Sequence, residues 1–173
     1  MTQFEPFYKQ LALNLSDHIA SQLKISIQMT HIEFKHQPFN VLLEQLPDFN
    51  FTLLFEENNQ PILFNFDLPI IYALADRMLG GDGIVTKRPE HILTSSESLF
   101  SSQLSQDTKQ LYLKLNKPVE LTRCETKKEQ CQCFFPDQQL QVAQIQCTLN
   151  QKELGLIHIC HKFDPLNDDQ HAH

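Results

Sequence analysis

Phe4, Phe7, Leu11, Leu15, Ile19 and Leu23 recur at spacings of three and four, with Lys9, Asn14, Asp17 and Gln22 between them. This spacing predicts an amphipathic helix at the start of the chain. Ile25, Ile27 and Met29 then alternate with polar neighbours as far as His36-Gln37-Pro38, the pattern of a strand with one buried face and a turn after it. A short helix or turn is expected from Phe39 to Leu46, ending at Pro47. Two strand-like runs, Phe49 to Phe55 and Pro61 to Phe66, flank Glu56-Glu57-Asn58-Asn59-Gln60, a polar connection of hairpin length. Asp67 is placed to cap a following helix by accepting from the free amides of its first turn. Pro69 suits that turn because its missing N–H would have no partner there. This helix is expected to run to about Leu79.

A second long helix is announced by Thr94-Ser95-Ser96-Glu97, a capping box in which hydroxyl and carboxylate satisfy each other's orphan amides. Its apolar stripe is Phe100, Leu104, Leu111 and Leu115. Ser101, Ser102, Ser105, Gln106, Lys109 and Gln110 are read as its outer face. Strands are expected at Val119 to Glu125, Leu140 to Leu149 and Leu154 to Phe163, the last two joined tightly through Asn150-Gln151-Lys152. Side by side, the two halves repeat one order: long helix, strand, irregular connection, hairpin. The hairpins end in Phe66-Asp67-Leu68-Pro69 and Phe163-Asp164-Pro165-Leu166. Two such units most simply share one central sheet with helices on its faces, an α/β or α+β layered domain over residues 1–166. The polar end, residues 167–173, reads as a disordered tail.

Composition narrows the function. At 173 residues the chain can bury a core without staples. Five cysteines, an odd number, and a start with neither basic nor apolar run imply reduced thiols and a cytoplasmic location. The most apolar stretch, Leu68 to Leu79, carries Asp76 and Arg77 and is too short to cross a bilayer, which argues against direct membrane insertion. Lys and Arg total 14 against 21 Asp and Glu, a formal charge of -7 that repels a phosphate backbone. Only Lys87-Arg88 and Lys127-Lys128 form small basic clusters, so nucleic acid is not an expected partner.

The most distinctive segment is Gly80-Gly81-Asp82-Gly83. Gly80 follows the last expected helical residue, where a left-handed conformation finishes the helix at no steric cost to glycine. Three glycines in four positions exceed that need, and Asp82 adds a carboxylate at the tip of a loop whose backbone a partner can approach. The run Leu74-Ala75-Asp76-Arg77-Met78-Leu79-Gly80-Gly81-Asp82-Gly83, followed by Thr86-Lys87 and then the Thr94 to Glu97 cap, resembles the middle domain of the flagellar motor switch family FliM. Leu13 to Asp17, Phe39 to Pro47 and Gly155 to Cys160 are similar to the same family more diffusely.

The resemblance implies a pseudo-two-fold, three-layer α/β/α sandwich, in agreement with the duplication. It also implies a non-enzymatic role at the cytoplasmic side of the flagellar basal body, as an excised middle domain or a stand-alone relative. In that family the glycine loop binds the motor protein FliG, and side faces pack against neighbouring copies in the switch ring. Carried to this chain, the partner-binding residues are Gly80, Gly81, Asp82 and Gly83, with Asp76 and Arg77 on the preceding turn. Helix termination accounts for Gly80, so the functional weight falls on Gly81, Asp82 and Gly83.

Two other readings are open: a response-regulator phosphatase resembling CheC and CheX, and a component of a type III secretion ring. The phosphatases of that superfamily set Asp or Ser, then Glu four residues on, then Asn three later, on a helix; no Glu on either long helix has those neighbours. No catalytic residues, cofactor or metal are therefore assigned. Cys131, Cys133, His158, Cys160 and His161 could be assembled into a zinc site, but strand alternation turns His161 away from His158 and Cys160.

Overall fold

The apolar runs around residues 49–55 and 61–66 are too continuous for a strand with one wet face, and they form the middle of a sheet covered on both sides. In the computed structural model, which describes residues 4–84 and 95–165, the chain runs α1 (Phe4–Leu23), β1 (Ile27–Pro38), α2 (Phe39–Gln45), β2 (Phe49–Glu57), β3 (Gln60–Phe66), α3 (Leu68–Met78), α4 (Ser95–Lys114), β4 (Glu120–Lys127), a 3-10 turn (Lys128–Gln130), β5 (Gln139–Leu149) and β6 (Lys152–Lys162). The expected cap residue Thr94 and the expected tail lie outside the described residues, as do Thr86-Lys87 and Lys87-Arg88.

The six strands form one antiparallel sheet in the order β1-β5-β6-β3-β2-β4. Read from either end, the roles repeat: the first strand of one half, then the hairpin of the other half, up to the central β6–β3 pair. The duplication is therefore a pseudo-two-fold in which each half lends its first strand to the other's hairpin. Both hairpins close through two left-handed residues, Asn58 and Asn59 (φ 49° and 63°) and Asn150 and Gln151 (φ 50° and 68°), whose twist matches that of the strands.

The layers are unequal. One face carries α1, α3 and α4 over the larger core, which includes Leu53, Phe55, Phe64, Phe66, Ile145 and Ile159. The other is covered by α2 and residues 131–134 over Leu54, Leu63, Leu140, Val142 and Cys160. Alternation sends Leu53 to one core and Leu54 to the other, and likewise Phe64 and Leu63. Both sheet edges are poor templates for further strands: β1 is broken by a bulge between Thr30 and Glu33, with His31 at φ 50°, and β4 is exposed and charged.

Three expectations are corrected. No turn separates β1 from α2; the strand runs through Pro38 straight into the helix. Asp67 makes no side-chain cap to α3. Its carboxylate accepts from the Leu156 amide on β6 at 2.9 Å, a longer-range use of the same acceptor. Ser101 and Ser105 are buried rather than on the outer face of α4, together with Thr108. Their hydroxyls donate to the carbonyls of Glu97, Ser101 and Leu104 one turn back, at 2.7–2.8 Å, so small polar residues pack inside without an orphaned donor.

A polar row crosses the sheet on the face that also carries α2. Thr52, Asn65, His158 and Gln144 are successive cross-strand neighbours, and the Asn65 amide donates to Thr52 Oγ1 at 2.8 Å. Lys35 Nζ donates to Gln144 Oε1 at 2.9 Å at the end of the row. Burial, aided by the Lys35 charge, pushes the His158 imidazole down to about 4, so it is neutral in the fold. Unfolded, the same ring titrates near its ordinary value of 6.5. Between those values the unfolded chain binds the extra proton, so stability falls as pH falls through this window, by at most about 1.4 kcal/mol per pH unit. Urea denaturation of wild type and His158→Gln is expected to show the stability difference changing by about 2 kcal/mol against wild type between pH 7 and pH 4.5. Parallel pH profiles would show that His158 does not titrate as a buried neutral ring.

Candidate functional site

Leu68 and every residue from Ile70 to Ala75 are buried, so α3 is enclosed on all sides until it leaves the core where Asp76 and Arg77 begin. Its end is a Schellman turn: the Gly80 amide donates to the Arg77 carbonyl at 3.1 Å and the Gly81 amide to the Asp76 carbonyl at 2.9 Å. Gly80 takes the left-handed position at φ 96°, as its place at the helix end predicts.

The other two glycines have equally local causes. A Cβ on Gly81 would overlap the Asp76 carboxylate, whose Oδ2 accepts from the Gly83 amide at 2.9 Å. Gly83 is buried at φ 78°, and a Cβ there would lie 2.9 Å from Leu149 Cδ2 and 3.3 Å from the Ala73 carbonyl oxygen. Asp82 is exposed at the tip, where its Oδ1 accepts from the Ile84 amide at 3.1 Å.

Arg77 ties this loop to α1. Its Nη1 donates to the Gly81 carbonyl at 3.2 Å, while Nε and Nη2 donate to the carbonyls of Leu23 and Lys24 at 3.2 and 3.3 Å. The planar guanidinium thus bridges the loop to the negative end of a neighbouring helix. Asp76 and Arg77 adjoin the four loop residues, but their polar atoms are engaged within the fold, Asp76 by the Gly83 amide and Arg77 by the carbonyls of Gly81, Leu23 and Lys24.

What the loop presents outward includes residues that helical spacing does not single out. Leu79 and Ile84 are 66% and 64% exposed, and Met78 is also exposed. Ile84 was the available signal: an apolar residue just after Gly83 has no helix or strand of its own to bury it. The loop end thus exposes the Asp82 carboxylate beside the apolar side chains of Leu79 and Ile84 on a hydrogen-bonded backbone.

The thiols and histidines do not converge in the same way. Cys131 and Cys160 are buried and Cys133 is partly buried under α2, whereas the His161 ring packs on Phe4 and Tyr8 of α1, on the opposite face. Burial pushes the Cys133 thiol up to about 12 and the Cys131 and Cys160 thiols upward as well, which favours the protonated form over the thiolate a metal needs. Among the described residues, no three His, Cys, Asp or Glu side chains form a group able to hold a metal ion, and no helix is long and apolar enough to cross a membrane.

The Asp76–Gly83 hydrogen bond links two positions in one test. Gly81→Ala displaces the carboxylate that Asp76→Ala removes. Each is expected to lower stability by about 1–2 kcal/mol in urea denaturation, and the double variant to be no worse than either single one. Additive losses would mean that Gly81 is required for another reason.

Solved structures with this fold include FliM in the FliG-FliM complex from H. pylori, at 17% identity and TM-score 0.74 over 92% of this chain and 90% of that one. FliM in the FliM-SpeE complex from H. pylori is similar at 14% identity and TM-score 0.75, covering 92% and 85% of the two chains. A CheC-like superfamily protein from Shewanella sp. PV-4 is more distant, at 13% identity and TM-score 0.54 over 95% and 99%. No protein of curated function matches the sequence. The family profile of the flagellar motor switch protein FliM matches residues 1–167, and the chain belongs to that family.

Proposed function

We propose that the chain is a non-enzymatic module of the flagellar motor switch, placed at the cytoplasmic face of the basal body, and that it docks on a FliG-like motor protein through the loop at Gly80 to Gly83. The observation that carries this reading is the hydrogen-bonded loop itself, tied by Asp76 and Arg77 and presenting Asp82 between the exposed Leu79 and Ile84. Family membership supports it, as does the likeness to an H. pylori FliM whose complex with FliG is known. A preformed loop loses little conformational freedom on binding, so its few exposed side chains can contribute most of their interaction energy to affinity.

Gly81 is a poor position for the test, because any side chain there also disturbs Asp76. Leu79→Arg and Asp82→Lys change only exposed side-chain chemistry, apart from the short Asp82–Ile84 hydrogen bond. Binding of the FliG protein of the same organism, measured by calorimetry, is expected to weaken at least tenfold in each variant, with thermal stability unchanged. Wild-type protein that fails to bind FliG, or variants that bind as well as wild type, would remove this loop from the interface.

A further inference from the structure

Opposite the loop end of the molecule, a cavity of about 810 Å³ opens between the start of α1, the β2–β3 turn, the α4–β4 connection and the end of β6. Its volume lies in the range of small-molecule sites. Phe4, Phe7, Tyr8 and Ile62 supply apolar wall, and Glu57 and Lys117 set two opposite charges within it.

Both charged residues stand beside left-handed backbone turns. Lys117 follows Asn116, which closes α4 in a left-handed conformation (φ 59°), with the Lys117 amide bonded to the Tyr112 carbonyl at 3.0 Å. Glu57 immediately precedes the left-handed pair Asn58 and Asn59. The Lys117 ammonium lies 5.0 Å from the centre of the Phe7 ring and 6.0 Å from that of Tyr8, and its side chain is only 17% exposed. Glu57 Oε2 stands 3.5 Å away, beyond the 2.7–2.9 Å of a short charge-assisted hydrogen bond. That oxygen is buried and accepts no hydrogen bond. An ammonium with donors to spare and a carboxylate oxygen that meets it at ion-pair distance without a hydrogen bond therefore share one space, walled on one side by aromatic rings.

We propose that this cavity is a binding site for a small neutral molecule bearing a carboxamide on an apolar body. The amide N–H donates to Glu57 Oε2, its carbonyl accepts from Lys117 Nζ, and the body packs on Phe7 and Tyr8. A ligand carboxylate would meet the Glu57 charge and a ligand ammonium the Lys117 charge. The remaining charged groups of the lining, Lys162 and Asp164, are again one of each sign. A group that both donates and accepts without net charge is the one that satisfies both partners.

Benzamide, benzoate and benzylamine share a ring and differ in this head group, so they serve as probes in amide-resolved NMR titrations of the full chain. Benzamide is expected to shift the signals of residues 57–62 and 116–118 saturably in the millimolar range, with benzoate and benzylamine at least about fivefold weaker, the equivalent of one net hydrogen bond. In Glu57→Gln the Lys117 charge is no longer neutralised, and the preference is expected to move to benzoate. Equal affinity for all three probes, no saturable shift with any of them, or an unchanged ranking in Glu57→Gln would overturn the assignment. Should that variant not fold, the ranking on wild-type protein decides the matter alone.

Discussion

The antiparallel pairing of β3 with β6 is the contact on which the rest of the molecule depends, because it joins the two halves where both faces of the sheet are dry. Such a seam accepts apolar side chains in both directions, which is why Leu63 and Phe64, or Ile159 and Cys160, are neighbours in sequence and separated by the sheet in space. Polar residues are buried there too, uncharged and only partly hydrogen-bonded, since among the described residues Asn65 Oδ1 and His158 Nδ1 have no hydrogen-bond partner. Asn65 is tied to Thr52, and His158 carries no charge in the fold.

Element types, the hairpins and the internal duplication were all legible in the sequence, since each leaves a local mark: helical or alternating spacing, paired turn residues, a repeated order. What local pattern could not supply was the environment across the fold. Ser101 and Ser105 look like a wet helical face until their bonds to carbonyls one turn back are seen. Asp67 sits where a helix cap belongs, and its carboxylate is drawn instead to an amide 89 positions away. The thinness of the second covering layer, one short helix and a loop, is likewise invisible to periodicity.

The candidate site shows the same division. The glycine count drew attention to this loop, and helix termination explained Gly80, which takes the left-handed position at the helix end. The causes for Gly81 and Gly83 are an Asp76 carboxylate and a Leu149 methyl that only the folded chain brings near. With the glycines explained by the loop's own construction, the side chains they leave exposed are those of Leu79, Asp82 and Ile84, and the proposed docking rests on these.

The exchange of first strands between halves also constrains how the chain reaches its fold. The two hairpins close locally, across two-residue turns, whereas Ile27 must find Leu149, a separation of 122 positions (149 minus 27). Closing so long a loop is entropically costly before any contact compensates it, and topologies rich in such contacts fold slowly. A ribosome delivers β1 long before its partner β5 exists. The bulge at Thr30 to Glu33 then guards an edge that must wait for most of the chain to be made.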